Sequence, residues 1–68
     1  SMVQRLNDRL ATEGGTPEEW ARLISAYGSL GDEGRARAIW LEAQQRFADT
    51  PDALETVRRG AARAGVDQ

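Results

Sequence analysis

The sequence predicts an all-α fold: an antiparallel helix-turn-helix array of about four helices, in one domain covering residues 1–68. Three observations carry this. Apolar residues recur three and four apart along most of the chain, and no stretch shows the two-residue alternation of a half-buried strand. Gly14-Gly15, Gly31 and Gly65 interrupt that pattern where helices would end. Thr16-Pro17 and Thr50-Pro51 open new segments 34 residues apart, a period that suits a two-helix unit.

The elements follow in order. Val3, Leu6 and Leu10 fall at helical spacing, with Arg5, Asp8 and Arg9 elsewhere on the turn, so residues 1–15 are expected to supply a preceding helix from about Met2 to Thr12. Thr16-Pro17-Glu18-Glu19 is a helix start: Thr16 caps free N–H groups, Pro17 suits the first position, and Glu19 completes a capping box. That helix presents Trp20, Leu23, Ile24, Tyr27 and Leu30 on one face, Gly31 closes it, and Asp32 caps the next. A helix from about Glu33 to Ala48 then buries Ala36, Ile39, Trp40, Ala43 and Phe47. Glu33–Arg37 and Glu42–Arg46 stand as i, i+4 pairs in the favourable order. Thr50-Pro51 caps a last helix with Leu54, Val57, Ala61 and Ala64 inward, ended by Gly65. Its apolar face is thin, so residues 50–68 read as a capping helix. Short connections make neighbouring helices antiparallel.

Composition narrows the chemistry. Sixty-eight residues bury only roughly 60% of their unfolded surface, which implies modest stability. Without Cys, the chain forms no disulfide and offers no sulfur to a metal. Without His, it lacks the commonest general base and the commonest haem ligand. No metal or cofactor site is therefore expected. All nine basic residues are Arg and the net charge is −2, which disfavours nucleic-acid binding. No apolar run is long enough to span a bilayer, and no signal peptide is present. Ser1-Met2 reads as a cloning remnant ahead of a piece cut from a longer protein.

Residues 16–49 match the tetratricopeptide pattern of bulky, Leu and aromatic on the first helix, then small, aromatic and small on the second. Trp20, Leu23 and Tyr27 fill the first set, Leu30-Gly31 the turn, and Ala36, Trp40 and Ala43 the second. Ile24 replaces the usual small residue. Leu54, Val57 and Ala61 give a degenerate second copy, as terminal repeats do. A plain helical bundle would satisfy the periodicity too, and the density of matches around the turn favours the repeat.

In such arrays the first helix of each unit lines a groove. Turned away from the Trp20–Tyr27 core are Arg22, Ser25 and Ser29, and the equivalent surface of the last helix offers Glu55, Arg59 and Arg63. Arginine forks onto carboxylates, so Arg22 with Arg59 or Arg63 would hold an acidic or C-terminal group of a peptide. Gly28 lies toward this side and would admit a guest backbone. Each of these residues also has a plainer reading, as part of a solvated face or, for Gly28, as a weak helix position held by tertiary contacts. Ser25 and Ser29 have no His or Lys partner, so no catalytic residue is assigned and an enzyme is not expected.

The stretch from Gly14 through Ile24, with Leu30-Gly31-Asp32 and Arg35 through Trp40, resembles the C-terminal part of the c-type cytochrome biogenesis proteins of the CcmI/CycH family. Met2-Val3, Leu6 and Arg9-Leu10 resemble the segment ahead of the repeats there. The resemblance implies a chaperone module. It would hold apocytochrome c on the periplasmic side of the bacterial inner membrane and pass it to the haem ligation machinery, within a membrane-anchored parent whose present portion touches no membrane. An alternative of another class is a structural element that docks on sister repeats or another protein without holding a client. RNA binding by a pentatricopeptide-like array is disfavoured by the acidic balance.

Overall fold

The computed structural model describes Met2, Val3, Arg5 and residues 15–67. Among these, the chain forms three helices and no strand: α1 (Pro17–Ser29), α2 (Glu33–Arg46) and α3 (Pro51–Ala64). Met2, Val3 and Arg5 are helical as well, and half-buried Val3 packs against the core. Leu6 and Leu10, on which the expected first helix depends, lie outside the described residues.

Local sequence sets each boundary. The Thr16 hydroxyl accepts from the Glu19 N–H at 3.2 Å and the Glu19 carboxylate accepts from the Thr16 N–H at 3.0 Å, which closes the expected capping box. Asp32 caps α2 by accepting from the Arg35 N–H at 3.1 Å. Thr50 departs from expectation, because its side chain makes no cap hydrogen bond. Its ψ of 81°, against 161° at Thr16, takes it out of the extended geometry that aims a capping hydroxyl at the helix. Its own N–H instead donates to the Phe47 carbonyl at 3.0 Å, tightening the α2–α3 turn.

α1 and α3 end alike. Gly31 (φ 78°) and Gly65 (φ 74°) take the left-handed conformation. Asp32 N–H reaches the Tyr27 carbonyl at 2.9 Å, and Val66 N–H reaches that of Ala61 at 2.9 Å. Both are the six-to-one bond of a Schellman stop, and Gly31 to Gly28 and Gly65 to Ala62 supply the inner bonds. Leu30, still in the right-handed conformation at the end of α1, falls at the edge of the apolar stripe and is 67% exposed, not in the core as its spacing suggested. Val66 gains what Leu30 loses. It folds back under α3 to 1% exposure, although nothing in the helical periodicity marked it.

The core joins Trp20, Leu23, Ile24 and Tyr27 of α1 to Ala36, Trp40 and Ala43 of α2, and to Val57 and Ala61 of α3. Ile39, Phe47, Leu54 and Ala64 are only partly buried around it. Trp20 meets Phe47 edge-on at 6.1 Å, and the Arg46 guanidinium stands 5.6 Å over the Trp20 ring. Arg46 is thus spent on an aromatic face. The expected Glu42–Arg46 and Glu33–Arg37 pairs do not form. Ion pairs among the described residues join Arg35 to Asp32, Arg58 to Glu55 and Asp67, and Arg59 to Glu55.

Trp20 begins α1 and Phe47 follows α2, so these two helices run antiparallel across their short turn. α1 and α3 instead share a direction, since Gly60 lies on Ala21 while Ala64, further along, lies on Gly28. This pairing is close. A Cβ on Gly60 would fall 2.6 Å from the Ala21 Cα and nearer still to its carbonyl oxygen, and one on Gly28 would fall 2.6 Å from the Ala64 Cβ. Gly28 is therefore taken up by α3 and does not face a guest.

Gly60→Ala should lower stability by ~1–3 kcal/mol in urea unfolding despite alanine's higher helix propensity, because backbone cannot yield as a side-chain end can. Gly34→Ala, with only an Asp32 oxygen at 3.8 Å, should raise it by ~0.5–1 kcal/mol. A Gly60→Ala protein more stable than the parent would disprove the close crossing.

Candidate binding groove

Two helices of common direction leave a furrow along their outer junction, and here it has a volume of about 480 Å³. Glu18, Arg22, Ser25 and Ser29 form the α1 wall, a stripe four, three and four residues apart. Thr56, Arg59 and Arg63 form the α3 wall at intervals of three and four. Ala21 and Ala26 lie between. The floor is shallow because Ala21 touches the α3 backbone at Gly60.

All five residues singled out in the sequence (Arg22, Ser25, Ser29, Arg59 and Arg63) line this one groove. Glu55 does not join them. It lies one step round α3, against a second groove of about 540 Å³ between α2 and α3 that also includes Trp40, Leu54 and Arg58. Glu18 and Thr56 line the α1–α3 groove too, unexpected from the sequence although Glu18 is four residues before Arg22 and Thr56 three before Arg59. The Thr56 hydroxyl donates to the Asp52 carbonyl at 3.1 Å, so it is turned to its own helix.

The charges in the groove are unevenly engaged. Arg22 and Arg63 join no ion pair among the described residues. Arg59 reaches Glu55 only through Nε, at 3.5 Å. Arg58 holds that carboxylate far better, donating from Nε at 2.8 Å and Nη2 at 2.7 Å, and extends Nη1 to Asp67 at 3.4 Å. These hydrogen bonds, ahead of the charges of Arg58 and Arg59, bring the Glu55 carboxyl down from 4.5 to about 2, and Arg58 is raised in turn. The cluster ties the tail carrying Val66 to the start of α3 and stands outside the groove.

The cytochrome c-type biogenesis protein CycH of Bradyrhizobium diazoefficiens is 33% identical to this chain over 66 residues, which is 97% of the chain and 18% of the relative. The chain thus spans about a fifth of the length of the curated relative it matches. No family model matches the sequence, and no solved structure does.

Because folding depresses the Glu55 pKa, its stabilising effect is complete above about pH 4.5 and disappears as the pH falls through about 2. Thermal melts of the parent and Glu55→Gln should differ at pH 7, with the variant lower, and converge near pH 2. Equal midpoints at pH 7 would show that the Arg58 contact contributes nothing.

Proposed function

We propose that this chain is a polypeptide-holding module of the cytochrome c maturation apparatus, whose α1–α3 groove takes apocytochrome c for delivery to the haem ligation machinery. The observation that carries the reading is the convergence of Arg22, Ser25, Ser29, Arg59 and Arg63 on one furrow. The chain's similarity to a cytochrome c-type biogenesis protein over nearly its whole length supports the pathway.

A tetratricopeptide-like unit followed by a half-unit accounts for the architecture. α1 and α3 begin at Pro17 and Pro51 and stop at left-handed Gly31 and Gly65, each pair 34 residues apart. α1 is antiparallel to α2 and shares the direction of α3, which is how a first helix, its partner and the next first helix would stack. The module would work on the periplasmic side of the inner membrane, in a membrane-anchored parent. Its groove offers guanidiniums and hydroxyls but no imidazole, thiol or amine to abstract a proton or attack, so its task is to hold and release and not to catalyse.

Calorimetric titration with peptides from apocytochrome c C-termini tests this. The parent should bind, and an Arg22→Ala, Arg59→Ala variant should bind at least about tenfold more weakly, as the loss of one charge-assisted contact implies. Absence of binding at about 1 mM peptide would refute the holding role.

A further inference from the structure

The groove carries a charge opposite to that of the chain. Among the described residues three guanidiniums and one carboxylate, that of Glu18, line it, whereas the chain as a whole is at −2. Their charges are also available. Among the described residues, Arg22 and Arg63 are in no ion pair, and Arg59 contacts a carboxylate that Arg58 already binds through two shorter bonds. Arg59 is 69% exposed at its side chain, so its terminal nitrogens reach solvent.

Their spacing is ordered as well. Arg59 and Arg63 lie one helical turn apart, ~6 Å along α3, and Arg22 stands on the facing wall. Ala21 and Ala26 keep the space between the walls free of bulk. A flexible cation cluster would attract any anion, but two arginines at helical spacing match carboxylates at the same spacing on a partner helix.

From this charge complementarity we propose that the groove selects an acidic helical segment, in which two carboxylates about one turn apart engage Arg59 and Arg63 while Arg22 approaches from the other wall. The proposal rests on the groove being a polypeptide site and adds the charge and spacing of its occupant. A nucleic acid fits less well. Among the described residues no aromatic side chain lines the groove for bases to stack on, and Glu18 opposes a continuous phosphate track.

The test uses three labelled probes in fluorescence anisotropy. Two are Ala-rich helical peptides of identical frame carrying either Glu or Lys pairs at i, i+4, and the third is an oligouridine of similar length. The Glu peptide should bind at least about tenfold more tightly than the Lys peptide, and its affinity should fall severalfold between 50 and 200 mM salt, where the Debye length shortens. Arg59→Gln with Arg63→Gln should abolish the preference, and Arg35→Gln with Arg37→Gln on α2 should preserve it. The salt series on the parent protein needs no variant and decides the matter even if a variant misfolds.

Equal binding of the two peptides, or a Glu-peptide affinity indifferent to salt, would overturn charge selection while the holding role stands. Failure of both peptides together with the apocytochrome c peptides would overturn both readings. Oligouridine binding as tight as that of the Glu peptide would overturn the proposal in favour of a phosphate-binding groove.

Discussion

The close crossing of α1 and α3 is the constraint on which the rest of this small structure depends. At Gly60 the α3 backbone sits directly on Ala21, and four residues later Ala64 sits on Gly28. Contact this near is possible only where a side chain is a hydrogen or a methyl group, and glycine in mid-helix costs up to ~1 kcal/mol relative to alanine. The return is geometric. Two helices of common direction are brought so near that their outward stripes become the walls of one groove, and the polar residues from Glu18 to Ser29 on α1 and from Thr56 to Arg63 on α3 are placed together.

Contacts elsewhere keep α1 and α3 in that relation. α2 crosses behind them and presents Ala36 and Ala43, both fully buried, so that its backbone too comes near, while Trp40 fills the space left over. Trp20 is held by Phe47, whose ring stands perpendicular to its own, and by Arg46 over its face. Burying side chains such as Trp20, Leu23, Ile24 and Val57 contributes roughly 1.5–3 kcal/mol each before conformational entropy is set against it. With so few large residues inside, smaller devices matter. The Schellman stop that folds Val66 under α3 and the Glu55–Arg58–Asp67 cluster beside it are two of them.

Helix boundaries were legible because they are set by local rules. Thr16, Asp32, Gly31 and Gly65 act through backbone bonds within a few residues, and each was readable from its neighbours. Features decided by chain direction or by distant partners were less so. Leu30 has helical spacing but sits at the very end of α1 on the edge of its apolar stripe, and it stays 67% exposed. Arg46 had a local partner in Glu42 and took a distant aromatic ring instead. Gly28 and Gly60 look like weak helix positions in one dimension, and only the crossing explains them. Groove residues were recoverable because periodicity fixes which side chains share a stripe. Which of the α3 polar residues enter the groove depends on a rotation of a few tens of degrees, and this separates Arg59 and Arg63 from Glu55.

The α1–α3 groove is a shallow, polar, cationic furrow lined by hydroxyls and guanidiniums. It lies apart from the α2–α3 side, where Trp40 and Leu54 line the second groove, and the proposed holding role assigns the client to the α1–α3 face alone. Amide chemical-shift mapping of the 15N-labelled chain during titration with an apocytochrome c C-terminal peptide tests this division most directly. Saturable shifts concentrated on Arg22, Ser25, Ser29, Thr56, Arg59 and Arg63 are expected. Shifts concentrated on Trp40, Gln44, Leu54 and Arg58, with the α1–α3 groove unperturbed, would contradict it.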